Sequence, residues 1–64
     1  MATRSKLFSS VADSMCNEIY QNTNTDVRIS DLAQLSDRFN LKNGALNTGD
    51  EVGLYPAYMW FESQ

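Results

Sequence analysis

Apolar side chains in the first third of the chain recur every three or four residues and fall on one face of a helix. The set is Leu7, Phe8, Val11, Ala12, Met15 and Ile19. Thr3 or Ser5 stands before it as a possible N-cap, and we expect the helix to end near Gln21. Because the opposite face is polar, the pattern predicts an amphipathic helix that covers a small core.

A loop and a second helix are predicted next. Residues 21–26 are Gln, Asn, Thr and Asp, whose short polar side chains compete with the helical backbone for hydrogen bonds. After an extended approach at Val27 to Ile29, Ser30 is the expected N-cap of a helix that ends near Asn40, before a turn at Asn43-Gly44. Asp31 suits its first turn, and its apolar positions are Leu32, Leu35 and Phe39.

The last apolar segment is strongly aromatic. Thr48 and Glu51 fit a capping box that would open a short helix at Val52 and Leu54, and Pro56 is suited to a first helical turn. The sequence therefore predicts a mainly α fold, a small domain of two or three helices spanning residues 1–64, with an aromatic C-terminal segment. The alternative is an α+β fold with residues 54–61 as a strand, since Tyr, Trp and Phe also suit pleated surfaces.

The chain lacks the residues that most enzyme mechanisms require. The chain has no His, so the commonest general base, the Ser-His and Cys-His nucleophile pairs and most zinc sites are missing. Its three glycines lack the context of a phosphate-binding loop, and the paired acids Asp50 and Glu51 are explained by helix capping. We therefore expect a protein that is not an enzyme, with no catalytic residue, no cofactor and no metal.

The single cysteine and the lack of a long apolar run indicate in which cellular compartment the protein is expected. Cys16 has no partner for an internal disulfide, lies beside the apolar helix face and is expected to be a small core residue. No segment approaches the roughly 20 apolar residues of a membrane span. Residues 1–12 have the composition of a transit segment, but a core this small needs their helix. These features predict a soluble protein of the reducing cytoplasm that does not bind membranes.

One segment has the spacing of a calcium loop. Asn22, Asn24 and Asp26 alternate as its first three ligands do, and Ile29 stands at its buried apolar position. Val27 occupies the position that requires Gly, and Ala33 the position that requires a bidentate Glu. A degenerate calcium-loop protein is therefore a lesser alternative, and a polar turn between helices is the preferred interpretation.

Residues 32–46 have a loose helix-turn-helix spacing. In that interpretation Leu35 and Phe39 are buried, Asn40 takes a left-handed turn and Leu41 packs after it. The DNA contacts would come from Lys42, Asn43 and Arg38. Because the net charge is −3, nucleic acid is an unlikely partner, and a DNA-binding regulator remains the alternative function.

The preferred function follows from the aromatic segment, which is larger than a two-helix core can enclose. Part of it is expected to pack on the first helix, and the rest to bind another protein or a second copy in a homodimer; the alternative is that the whole segment belongs to the core. The predicted partner-binding residues are Tyr55, Tyr58, Met59, Trp60 and Phe61. The sequence thus predicts a small acidic adaptor or inhibitor, a type common among viral and mobile-element proteins.

Overall fold

The computed structural model describes residues 4–43 and 50–64, which form three helices. They are α1 at Lys6–Thr23, α2 at Ile29–Asn43 and α3 at Leu54–Glu62, and a 3-10 turn at Asp50–Gly53 leads directly into α3. The mainly α prediction is confirmed. The alternative of a strand at residues 54–61 is wrong, because Pro56 lies within the first turn of α3, where its missing N–H costs no hydrogen bond.

The helices pack in alternating directions. The start of α1 reaches the second half of α2, where Arg4 contacts Asp37, so α1 and α2 run in roughly opposite directions. The start of α3 lies against Ser36 of α2, and its end lies beside the beginning of α2. Helix α3 is therefore antiparallel to α2 and parallel to α1.

The bounds of α1 differ from the prediction at one end. Ser5 caps the helix, since its hydroxyl accepts a hydrogen bond from the Phe8 N–H at 3.0 Å, while Thr3 lies outside the described residues. The helix continues two residues past Gln21, to Thr23, whose hydroxyl donates to the Ile19 carbonyl at 2.7 Å. Asn24 then ends it in the left-handed conformation, at φ 59°. The predicted loop at residues 21–26 is thus wrong at its start, because residues 21–23 are helical. The connection between α1 and α2 consists of residues 24–28.

Helix α2 is longer than predicted at both ends. The N–H groups of Asp31 and Leu32 donate to the Arg28 carbonyl, so Ile29 and Ser30 are helical and Ser30 is not the N-cap. At the other end the helix passes Asn40 and reaches Asn43. Asn40 is buried there and donates its side-chain N–H to the Asp50 carbonyl at 2.7 Å, a contact that supports helical geometry at a residue expected to end it. Gly44 of the predicted turn is outside the described residues.

The core contains side chains from all three helices. Its fully buried members are Phe8, Ala12 and Ile19 of α1, Leu32 of α2, and Leu54 and Ala57 of α3. Val27 of the connection and Ala33 complete the buried cluster, and Val11, Met15, Leu35 and Phe39 pack against it partly buried. The residues predicted to be the apolar faces of the first two helices are therefore core residues, except Leu7, which is 56% exposed.

The 3-10 turn is attached to the start of α1. The Asp50 carboxylate accepts hydrogen bonds from the Ser5 N–H at 2.8 Å and from the Ser5 hydroxyl at 2.7 Å. Partial burial raises the pKa of Asp50, but the bonds from Ser5 outweigh it, so the pKa is lowered overall. Glu51 also lies 3.2 Å from the Ser5 hydroxyl. Asp50 and Glu51 therefore contact the N-terminus of α1. Thr48 of the predicted capping box lies outside the described residues.

Candidate protein-binding surface on α3

Helix α3 divides the predicted partner-binding residues into two groups. Tyr55, Met59 and Trp60 are exposed, at 63%, 47% and 46% of their surfaces. Tyr58 and Phe61 are partly buried and pack against the core. We call the exposed set, Tyr55, Met59 and Trp60, the α3 face.

The helical repeat explains this division. Leu54 and Ala57 are fully buried, and Tyr58 and Phe61 follow at spacings of four and seven from Leu54, which places them on the same side. At about 100° per residue, Tyr55 and Met59 then point away from the core, and Trp60 lies on the side toward α2. Burying one side of a nine-residue helix therefore leaves three large apolar side chains outside.

Aromatic neighbours hold the α3 face in position. The Trp60 ring meets Phe61 edge-on, with centroids 5.1 Å apart and planes at 90°. The Tyr55 ring lies 6.3 Å from that of Tyr58, tilted by 33°. Because Phe61 and Tyr58 are partly buried and pack against the core, they restrict the exposed rings beside them, which lowers the conformational entropy lost when a partner binds.

Polar bonds fasten the end of α3 to α1. One oxygen of Glu62 accepts hydrogen bonds from the Tyr58 hydroxyl at 3.0 Å and from the Asn22 side-chain N–H at 2.9 Å. Partial burial, followed by the bond to Glu62, raises the pKa of Tyr58, so this phenol is a hydrogen-bond donor at neutral pH. The bond from Asn22 joins α1 to α3, and the bond from Tyr58, made within α3, holds the same carboxylate in place.

A groove lies between α2 and α3 on the Trp60 side. It has a volume of about 340 Å³, and Trp60 and Phe61 form one wall. The other wall is one face of α2, made by Asp31, Gln34, Leu35 and Arg38. The lining combines the apolar residues Leu35, Trp60 and Phe61 with two residues of opposite charge, Asp31 and Arg38.

This groove was not predicted from the sequence. Leu35 was assigned to the core, whereas it is only partly buried and also lines the groove. The signal was present in the spacing, since Asp31, Gln34, Leu35 and Arg38 stand at i, i+3, i+4 and i+7 and so share one helix face. The position of Trp60 beside that face follows only from the tertiary packing.

Cys16 lies beside a smaller hollow, near Val27. It is partly buried against the core, in agreement with the predicted core position. Burial, and then the nearby carboxylates of Asp13, Asp31 and Asp26, raise the pKa of its thiol. The thiolate is the nucleophile, so this environment makes Cys16 a poor one.

The segment with calcium-loop spacing is divided between a helix and a connection. Asn22 lies within α1 and donates to Glu62, and Asn24 is the left-handed residue that ends the helix. Within residues 4–43 and 50–64, no group of three or more acidic or cysteine side chains is arranged to hold a metal ion. Asn22 and Asn24 therefore act in the structure as an interhelical contact and a helix cap.

The helix-turn-helix interpretation placed a left-handed turn at Asn40, and that placement is wrong. Asn40 is helical and buried, and Asn24 is the one non-glycine residue with positive φ in the part of the chain that the structure describes. Leu41, expected to pack after the turn, is 68% exposed. Arg38, Lys42 and Asn43 all belong to α2, and the residues of the proposed recognition helix after Asn43 lie mainly outside the described ranges.

Comparisons with known proteins place no constraint on function. No protein-family model, curated protein or solved structure matches the chain significantly. Among the described helices, none combines the length and the apolar character required to cross a membrane.

Proposed function

We propose that this chain is a non-enzymatic protein-binding module whose binding surface is the α3 face. The observation that carries the proposal is the exposure of Tyr55, Met59 and Trp60 on a helix whose other side is already committed to the core. Large apolar side chains grouped on one side of a short element are the usual mark of an interaction surface.

The residue types support protein as the ligand. Tyr, Trp and Met are enriched in interfaces, and Trp and Tyr dominate the positions where truncation weakens binding most. The supports under Trp60 and Tyr55 keep both rings in defined positions, so less conformational entropy is lost when a partner covers them.

The biological class follows from the same features. A 64-residue acidic chain with a preformed apolar surface suits an adaptor or inhibitor that occupies the surface of a larger protein, as compact viral and mobile-element proteins do. The proposal extends to a reducing cytoplasm, supported by the single, poorly reactive thiol of Cys16.

Capture experiments with matched variants test the proposal. The immobilised chain is exposed to lysate, its mass in solution is measured across concentration, and the wild type is compared with Trp60→Ser. Tyr20→Ser is the control, because Tyr20 is also aromatic and 53% exposed but lies on α1. We expect Trp60→Ser to lose association while its circular dichroism is unchanged, and Tyr20→Ser to retain it. A wild type that neither captures a protein nor self-associates contradicts the proposal, as does a folded Trp60→Ser chain that associates normally.

A further inference from the structure

We propose that the groove between α2 and α3 binds a second copy of this chain, in a symmetric dimer whose two α2 helices run antiparallel. This inference rests on the proposed function, because Trp60 of the α3 face forms one wall of the groove. The arrangement of charges along α2 favours a second copy of the chain as the occupant of the groove.

The two charged residues at the groove cannot satisfy each other. Asp31 and Arg38 are both exposed and stand seven residues apart on one face of α2. At about 1.5 Å per residue, their backbones are separated by about 10 Å along the helix axis, too far for an ion pair. Within residues 4–43 and 50–64 the one ion pair joins Arg4 to Asp37, so Asp31 and Arg38 have no opposite charge in contact among those residues.

The same spacing is self-complementary when two α2 helices meet antiparallel. A two-fold axis between Gln34 and Leu35 brings Asp31 opposite Arg38 of the partner subunit, and the equivalent pair forms on the other side. An isologous interface requires this reciprocity, in which each contact occurs twice. Asp31, Gln34, Leu35 and Arg38 are symmetric about that axis, with the charges outside and the amide and leucine at the centre.

The apolar groove supplies the centre of this interface. Leu35, Trp60 and Phe61 are the apolar residues that line the groove, and Leu35 stands next to the proposed axis. Closing a second copy over the groove removes Trp60 from water and leaves both ion pairs at the rim, the arrangement typical of protein interfaces. Rim charges select the register and the partner, while the apolar centre provides most of the affinity.

Charge-reversed variants test the pairing directly. Asp31→Arg and Arg38→Asp each place like charges opposite each other twice in a dimer. From the size of exposed ion pairs, each variant alone should dimerise about tenfold more weakly than the wild type. Mixing the two single variants restores both opposite-charge pairs, as does the double variant. Asp13→Arg is the matched control for Asp31→Arg, since Asp13 is exposed on α1 and both substitutions raise the net charge by two.

Sedimentation velocity across concentration gives the readout, with Trp60 emission as a second signal because it is the only tryptophan. We expect a concentration-dependent dimer with blue-shifted emission for the wild type, for Asp13→Arg and for the mixture, and for each single variant a dimer that forms only at about tenfold higher concentration, with helicity retained. A wild type that stays monomeric at millimolar concentration overturns the dimer. If Trp60-dependent capture of another protein persists in that case, the proposed function stands without it, and if capture fails too, both are wrong. A dimer unaffected by the single reversals overturns the antiparallel α2 pairing.

Discussion

Substitution of Gly53 by Ala is the sharpest test of how α3 is seated on α2. Gly53 is the last residue of the 3-10 turn and directly precedes α3, with φ −79° and ψ −8°, a conformation open to any residue. Glycine is required there because the neighbouring helix leaves no room for a side chain. A Cβ at this position would overlap the Ser36 carbonyl oxygen and lie 3.0 Å from the Asn40 side chain. The carbonyl belongs to the backbone of α2 and cannot rotate away, so α3 must shift.

The expected magnitude follows from two opposing effects. Overpacking a tight contact costs about 1–3 kcal/mol. Replacing glycine by alanine in a compatible backbone conformation stabilises by about 0.4–1 kcal/mol through the unfolded chain. Because the overlap is with backbone, we expect a net loss of about 1–2 kcal/mol in the free energy of unfolding, and each kcal/mol lowers the melting temperature of a domain this size by about 4–8 °C.

Urea and thermal unfolding monitored by circular dichroism measure this effect. Ser14→Ala, at an exposed position inside α1, is the control for helix propensity alone and should gain a few tenths of a kcal/mol. A Gly53→Ala chain as stable as the wild type, or more stable, would refute the close approach of α3 to α2.

Three further outcomes follow from burial, hydrogen bonding and charge. Leu54→Ala should cost about 2–5 kcal/mol because the side chain is fully buried, whereas Tyr55→Ala beside it should change stability by about 0.5 kcal/mol or less, both measured by urea unfolding. Asp50 has a lowered pKa in the folded chain, so its stabilisation is present above its ordinary pKa of about 4 and is lost as the pH falls through the lower folded value. Asp50→Asn should flatten the fall in stability over that acidic range, measured by urea titration at each pH. The Cys16 thiol should be alkylated more slowly in the folded chain than in urea at neutral pH, because its pKa is raised.

Each of these has its own contrary result. Equal losses for Leu54→Ala and Tyr55→Ala would mean that α3 is not oriented as described. An unchanged acid profile for Asp50→Asn, with Ser5→Ala also without effect, would mean that the turn is not held to the start of α1 by its carboxylate. Rapid alkylation of the folded chain would show that Cys16 is more accessible than its position against the core allows.

The first two helices could be predicted because their apolar positions follow the helical repeat without conflict. The errors in the prediction are in the helix boundaries, because tertiary contacts determine where each helix begins and ends. Asn40 is a poor helix former by itself, yet it stays helical because its side chain is buried and bonded to Asp50, ten residues later. Ser30 is a good cap by type, but the helix begins one residue before it, with its first hydrogen bonds to the Arg28 carbonyl.

The candidate surface was predictable in part. The aromatic composition predicts that residues 54–61 contribute to an interface, but it does not distinguish Trp60 from Phe61, which are chain neighbours of similar character. Trp60 is exposed and Phe61 is partly buried because Leu54 and Ala57 pack into the core and so fix the orientation of α3. That packing depends in turn on the close contact between Gly53 and α2. The groove beside Trp60 depends on the same packing, which no local pattern encodes.

A nitrogen–proton correlation spectrum of the labelled chain tests most directly whether the α3 face is the binding surface. The chain has one tryptophan, so its indole N–H gives a single assignable signal from the centre of the proposed interface. Spectra are compared across chain concentration and with any protein that the chain captures. We predict that the Trp60 indole signal and the amides of Tyr55 and Met59 shift or broaden first, while the outer face of α1 around Ser10 and Asn17 stays unchanged. Binding-dependent changes confined to α1, with the Trp60 indole signal unmoved, would contradict the account.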